Sequence, residues 1–245
     1  MDKVILMIGA GSDIGMNYLK RLDGAAGKEN ITVLAQYRKM SEDLKNLCEA
    51  VQNIEIRPYQ ADLSGAGETE AFIEKLKSEG YVPTHIIHLA NAPYKFVKLK
   101  QWDEGAFREE MEIALYSLTK VSAAFLPAMA KAGFGRVAVL LSAVTMDEPP
   151  KFTAPYTTVK YAMLGFMKAA AAEYAGKNIC INALSPDMMD TKFIGGLDEK
   201  IIALTAQNMP GGKLLDVDVT VDALEKILSE DVDFTGQNIP VKGKD

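Results

Sequence analysis

The chain has 245 residues, 48% of them hydrophobic and 24% charged, with 27 Lys and Arg against 33 Asp and Glu. That is enough apolar material for a buried core, and a formal net charge of -6 without a basic stripe argues against nucleic-acid binding. Two cysteines, Cys48 and Cys180, with no CxxC argue against a disulfide framework or a zinc site.

Read in chain order, short Val- and Ile-rich runs alternate with longer stretches of helical pattern. Strands are predicted at Val4–Ile8, Ile31–Ala35, Ile54–Tyr59, His85–Ala90, Arg136–Leu141 and Asn178–Leu184, with a last one in QNIPV near the end. Helices are predicted over 13–23, 41–51, 68–79, 103–132 and 154–175. Apolar runs of this kind suit strands buried on both faces, and the alternation predicts an α/β fold: a doubly wound, Rossmann-like parallel sheet of about seven strands with helices on both faces. No repeat or linker interrupts it, so residues 1–245 are expected to form a single domain. The apolar run near the start is too short for a signal segment and no stretch approaches a membrane span, which fits a cytoplasmic location.

The first predicted strand ends in Gly9-Ala10-Gly11-Ser12-Asp13-Ile14-Gly15, which opens the first helix. Glycines let the backbone approach a pyrophosphate, and a helix N-terminus offers free N–H groups and a positive dipole end. A turn of this kind can also be purely structural; its place at the first strand–helix junction favours a dinucleotide site. After the second strand comes Gln36-Tyr37-Arg38-Lys39. No acid stands there to bind a ribose, whereas Arg38 suits a 2′-phosphate, so NADP is expected over NAD. The other reading of Arg38 and Lys39 is a solvated basic pair.

Tyr156 and Lys160 lie four apart on a predicted helix, one turn from each other on one face. An ammonium beside a phenol favours the phenolate, and a phenol tuned toward neutrality can exchange a proton with a carbonyl or alcohol. Taken alone, such a pair is usually a helix-surface contact. Ser142, at the end of the fifth strand, can likewise serve only as a turn cap.

The segment from about 187 to 215 follows the sixth strand and interrupts the alternation. Its position at the carboxyl edge of the sheet makes it a candidate substrate loop. Met188, Met189, Phe193, Ile194 and Met209 are either an apolar pocket lining or irregular core filling. His85 and His88 are expected to be structural.

In this order the motifs resemble the single-domain form of the short-chain dehydrogenase/reductase family over nearly the whole chain. The resemblance rests on the glycine turn, Asp62-Leu63, Asn91-Ala92, Ser142, Tyr156 with Lys160, Ser185-Pro186 through Thr191, and Phe234 to Gln237. It implies catalysis by Ser142, Tyr156 and Lys160, with Lys160 holding the nicotinamide ribose and lowering the Tyr156 pKa. It implies a cofactor site made by Gly9, Gly11, Ser12, Asp13, Ile14, Gly15, Tyr37, Arg38, Asp62, Leu63, Asn91, Ala92, Pro186, Met189 and Thr191. It also implies a small carbonyl or alcohol substrate and pairing into homodimers or homotetramers. The chain departs from the family pattern at Asp13 and Pro93, where glycines are usual, at Asp187, and near Ala114, where the family often has an Asn that supports a proton relay. Those departures motivate a second reading, a non-catalytic nucleotide-binding or scaffold protein. A sugar-nucleotide epimerase ranks last, because the segment after the sixth strand is short for a sugar-nucleotide domain.

Overall fold

The computed structural model describes residues 2–27 and 29–243. Seven strands form one parallel sheet: β1 (Lys3–Ile8), β2 (Ile31–Tyr37), β3 (Glu55–Gln60), β4 (His85–His88), β5 (Gly135–Leu140), β6 (Ile179–Pro186) and β7 (Asn238–Val241). Their order is β3-β2-β1-β4-β5-β6-β7. The chain starts in the middle, winds outward through β2 and β3, then returns to β4 on the other side of β1. Ile5 to Ile8 pair with Val33 to Gln36 on one flank and with His85 to His88 on the other. The reversal leaves a crevice outside the carboxyl ends of β1 and β4, the place where open α/β sheets bind ligands.

Alternation along the strands explains the two layers. Leu6 and Ile8 of β1, Ile86 of β4, and Val137 and Val139 of β5 point to one face. There they meet α3 (Glu68–Ser78), α5 (Ser117–Ala132) and α6 (Ala154–Glu173) through Leu76, Phe125 and Met163. Ile5, Met7, Ile87 and Ala138 point to the opposite face. Here the covering helices are α1 (Asp13–Ala25), α2 (Glu42–Ala50) and α8 (Val217–Ile227), through Leu19, Leu44 and Leu224. Burial on both faces is why the central strands read as continuous apolar runs.

Several boundaries differ from the sequence expectation. The helix predicted over 103–132 is α4 (Glu104–Met111), a π turn over Glu112–Tyr116, then α5. A π turn adds one residue to the helical ladder, which periodicity over a long window averages away. By length and composition Glu104–Ala132 is also long and apolar enough to cross a membrane, contrary to expectation. In this fold Leu118, Val121, Phe125 and Met129 of that run are buried in the core that covers the sheet. The helix α8 was not anticipated, because its Val and Thr residues weaken helix propensity. Its signal was present in the Asp216 cap, which accepts the Asp218 N–H at 3.0 Å, and in Val221, Leu224 and Ile227 at helical spacing. The 187–215 segment contains α7 (Glu199–Gln207) between two short 3-10 turns.

Candidate active site

One cleft of about 560 Å³ runs along the carboxyl edge of the sheet, from Arg38 past the glycine turn to Tyr156 and Phe193. It is lined by the turns after β1, β2, β3, β4, β5 and β6, so residues far apart in sequence share it.

The glycine turn is tied down from behind. Gly9 has φ +86°, and a Cβ there would lie 2.9 Å from the backbone nitrogen of Ala90, so only glycine fits against the end of β4. The buried Gln36 side chain accepts the Gly9 N–H at 2.9 Å and donates to the Ala61 carbonyl at 2.7 Å. Ser12 caps α1 by accepting the Gly15 N–H at 3.1 Å. Gly15 itself is buried beneath the turn, where a Cβ would meet the Ala10 carbonyl at 2.7 Å. Gly9, Gly11, Ser12, Asp13, Ile14, Tyr37, Arg38, Asp62 and Leu63 all line the cleft. Asp62 accepts from the Ser64 hydroxyl at 2.7 Å, which lowers its carboxyl pKa. A helix N-terminus at the crevice, glycines at positions 9 and 15 that leave no room for a Cβ, and a basic rim fit a dinucleotide.

Asp13 replaces the expected glycine without closing the turn. Its carboxylate accepts the Lys192 backbone N–H at 2.8 Å, and the Lys192 ammonium meets Asp43 of α2 at 2.8 Å. The loop after β6 is therefore fastened across the crevice to the starts of both α1 and α2. Sequence reading found no role for Lys192 or Asp43, because the link joins positions far apart in the chain.

At the other end of the cleft, α6 brings Tyr156 and Lys160 together, and both are buried. The Lys160 ammonium donates to Asn91 Oδ1 at 2.7 Å and to the Leu140 carbonyl at 2.8 Å. Asn91 therefore anchors the lysine as well as lining the cleft, a contact that its expected place in the cofactor site did not include. Ala92 packs against the core on the α3, α5 and α6 side of the sheet and is not among the cleft-lining side chains. Burial pulls the Lys160 ammonium down to about 7, opposed by the charge of Glu110. Glu110 stands one helical turn before Ala114, and burial raises its own carboxyl.

The expected depression of the Tyr156 phenol by Lys160 is not what this geometry produces. Burial raises the phenol pKa, while a hydrogen bond with Ser142 lowers it. The Lys160 ammonium lies 5.6 Å from the ring centroid of Tyr156 and is spent on Asn91 and Leu140. Two ionisable groups taken out of water both move toward their neutral forms.

Ser142 lies at the head of the turn after β5 and lines the cleft beside Tyr156. Behind it Thr145 and Ser185 share a hydrogen bond at 2.9 Å, and Ser185 donates to Asn238 at 2.7 Å. That network joins β6 and β7 to the Ser142 turn and accounts for the Ser185 position in the motif. Pro186, Met189 and Thr191 follow on the cleft wall, with Met188, Phe193, Ile194 and Met209. Tyr94, missed in the sequence, packs edge-on against Tyr156 with centroids 4.8 Å apart. The two histidines are buried and held neutral, with pKa values lowered to about 3 by burial. His88 Nε2 pairs with the Ser117 hydroxyl at 2.8 Å, and Ser117 donates to the Ile113 carbonyl of the π turn at 2.6 Å.

The short chain dehydrogenase family model matches residues 3–201. The chain belongs to the short-chain dehydrogenase family. Acetoacetyl-CoA reductase of Allochromatium vinosum is 23% identical over 99% of this chain and 98% of its own length. A 3-oxoacyl-[acyl-carrier-protein] reductase of Escherichia coli is 26% identical over 71% of each chain. Among solved structures, levodione reductase superposes with a TM-score of 0.86 at 21% identity, covering 99% of this chain and 97% of its own. ElxO with NADP bound does so with a TM-score of 0.82 at 20% identity, covering 98% and 97%.

Proposed function

We propose that this chain is an NADP(H)-preferring oxidoreductase that interconverts a carbonyl compound and a secondary alcohol, with Tyr156 as the general acid and base. The observation that carries the reading is the shared cleft: Tyr156 and Ser142 line the same crevice as the glycine turn, with Lys160 buried one turn behind. Relatives named as reductases support the reaction class. The cofactor reading is supported by neighbours solved with NADP and with NAD. NADP is preferred because Arg38 and Lys39 are exposed at the rim and no acid takes the ribose position.

In this reading the turn from Gly9 to Ile14 holds the pyrophosphate, Arg38 the 2′-phosphate, and Asp62 with Leu63 the adenine. Met189, Thr191 and the backbone at Pro186 border the nicotinamide. A bound nicotinamide dinucleotide supplies or accepts the hydride. The Ser142 hydroxyl donates a hydrogen bond to the substrate carbonyl oxygen and orients it. The Tyr156 phenol gives that oxygen its proton in reduction and takes it back in oxidation. A phenol with a raised pKa stays protonated through neutral pH, which suits the reductive direction. Lys160 holds the ribose and, with Asn91, fixes the position of Tyr156. The chain acts as a single cytoplasmic domain that assembles with copies of itself.

Replacing Tyr156 with Phe is expected to lower turnover by about 10²–10⁴-fold while NADPH still binds with unchanged affinity. Fluorescence titration with NADPH and with NADH, followed by an NADPH-consumption assay on an activated diketone, tests both parts. Full turnover by Tyr156→Phe removes the phenol from the mechanism. Binding of NADPH with no reduction of any carbonyl compound favours the scaffold reading, and tighter binding of NADH reverses the cofactor preference.

A further inference from the structure

The cations that line the cleft are gathered at one end of it, whereas carboxylates, Asp13 and Asp62 among them, line both ends. Among the described residues the lining cations are Arg38, Lys39 and Lys192, all at the end formed by β2 and the starts of α1 and α2. Beyond Ser142 and Tyr156 the charged lining side chains are Asp147, Glu148 and Asp187, with no lysine, arginine or histidine among them. Asp147 is paired with Lys242 at 3.2 Å, while Glu148 and Asp187 stand outside that pair. Burial raises the Asp187 carboxyl, and the charge of Asp147 raises it further against the pull of Lys242.

The rest of this end is apolar. Tyr94, Val144, Tyr156 and Ile194 form a small core of their own, with Met188 and Phe193 packed on it. Phe193 lies 6.0 Å from Tyr156 and 5.7 Å from Tyr94, centroid to centroid. The Tyr94 N–H meets the Phe193 carbonyl at 3.3 Å, so this wall joins the turn after β4 to the turn after β6. A guest that reaches Tyr156 must leave water for an apolar wall beside three carboxylates and no lining cation. A solvated loop often carries acids, but sorting every lining cation to the far end makes the entrance repel anions.

We propose that the substrate end selects an uncharged, apolar ketone, or the matching secondary alcohol, and rejects anionic carbonyl compounds, with Glu148 and Asp187 as the discriminating residues. The ketone half rests on the reductase reading; the charge selection is a binding property and stands apart from it. The inference separates this chain from relatives named for coenzyme A thioesters, whose phosphates are anionic.

Two probes with the same reacting ketone test it: ethyl acetoacetate, which is uncharged, and acetoacetyl-CoA. NADPH consumption is followed at low and high salt in the wild type and in a Glu148→Gln, Asp187→Asn double variant, and binding is measured by calorimetry in the presence of NADP. The expected result is a kcat/KM for acetoacetyl-CoA about tenfold or more below that for the ester. That ratio should rise as salt screens the carboxylates, and rise again, by about tenfold, in the double variant. A preference for acetoacetyl-CoA, or a thioester rate that falls with salt, overturns the proposal. If neither probe turns over, binding of the ester with exclusion of the thioester keeps the charge selection and sinks the reductase reading. Equal or tighter binding of the thioester, or binding of neither probe, sinks the selection.

Discussion

Lys160 carries an ammonium into a place almost closed to solvent, held by one side-chain oxygen and one carbonyl. Glu110 is the acidic group whose charge reaches it, Tyr156 lies on the same helix, and His88 stays neutral on the facing strand. The folded pKa is about 7 against an ordinary 10.5. Between those values the unfolded chain binds a proton that the folded chain lacks, so stability rises with pH across that window. Urea midpoints of the wild type and Lys160→Met are expected to diverge from pH 7 to 10, with the wild type gaining on the order of 4 kcal/mol relative to the variant. Parallel pH profiles would mean that Lys160 keeps an ordinary pKa. The YxxxK spacing marks the two residues; only burial drives their pKa values apart, the phenol up and the ammonium down.

The strongest element-level device is the clasp between the loop after β6 and the starts of α1 and α2. Asp13 stands where a glycine was expected, and its carboxylate supplies the acceptor for the Lys192 N–H. Asp13→Ala is expected to speed amide hydrogen exchange over 191–195 by about tenfold or more, because that N–H loses its partner. Global stability should stay within about 1 kcal/mol, since the Lys192–Asp43 pair is exposed. Unchanged exchange in that segment would show that the loop is held by other contacts. Helix α4, the π turn and α5 make a second device, in which Ser117 at the end of the π turn bonds both the Ile113 carbonyl and His88. The period of the apolar residues identified this long helix but not its internal break. The weak helix formers in α8 hid that element, although its cap was readable.

Across the whole molecule, the long helices α5 and α6 bury one face and leave the other open. Tyr161 on α6 is 48% exposed, and Ala123, Pro127, Gly165 and Ala169 lie exposed on the same two helices. Small side chains allow close helix contact, and an exposed tyrosine adds apolar area with a polar tip. Sedimentation is expected to give a dimer or tetramer, and Tyr161→Arg a smaller species with an unchanged far-UV spectrum. A monomer in the wild type would end the assembly reading.

The strands, most of the helices, the glycine turn and the Tyr156–Lys160 pair were readable in the chain, because each is set by contacts between residues near in sequence or by a strict period. Dihedral freedom at Gly9, alternation along the strands and the four-residue spacing on α6 act locally. The rest required the chain to be folded back on itself. That Asn91 holds Lys160, that Asp13 fastens Lys192, that Tyr94 walls Tyr156, and that the lining cations gather at one end of the cleft are consequences of segments tens of residues apart meeting at one sheet edge. Burial itself belongs to this second group: the sequence names the ionisable side chains, but only packing decides how much water reaches them, and so which charge each one carries.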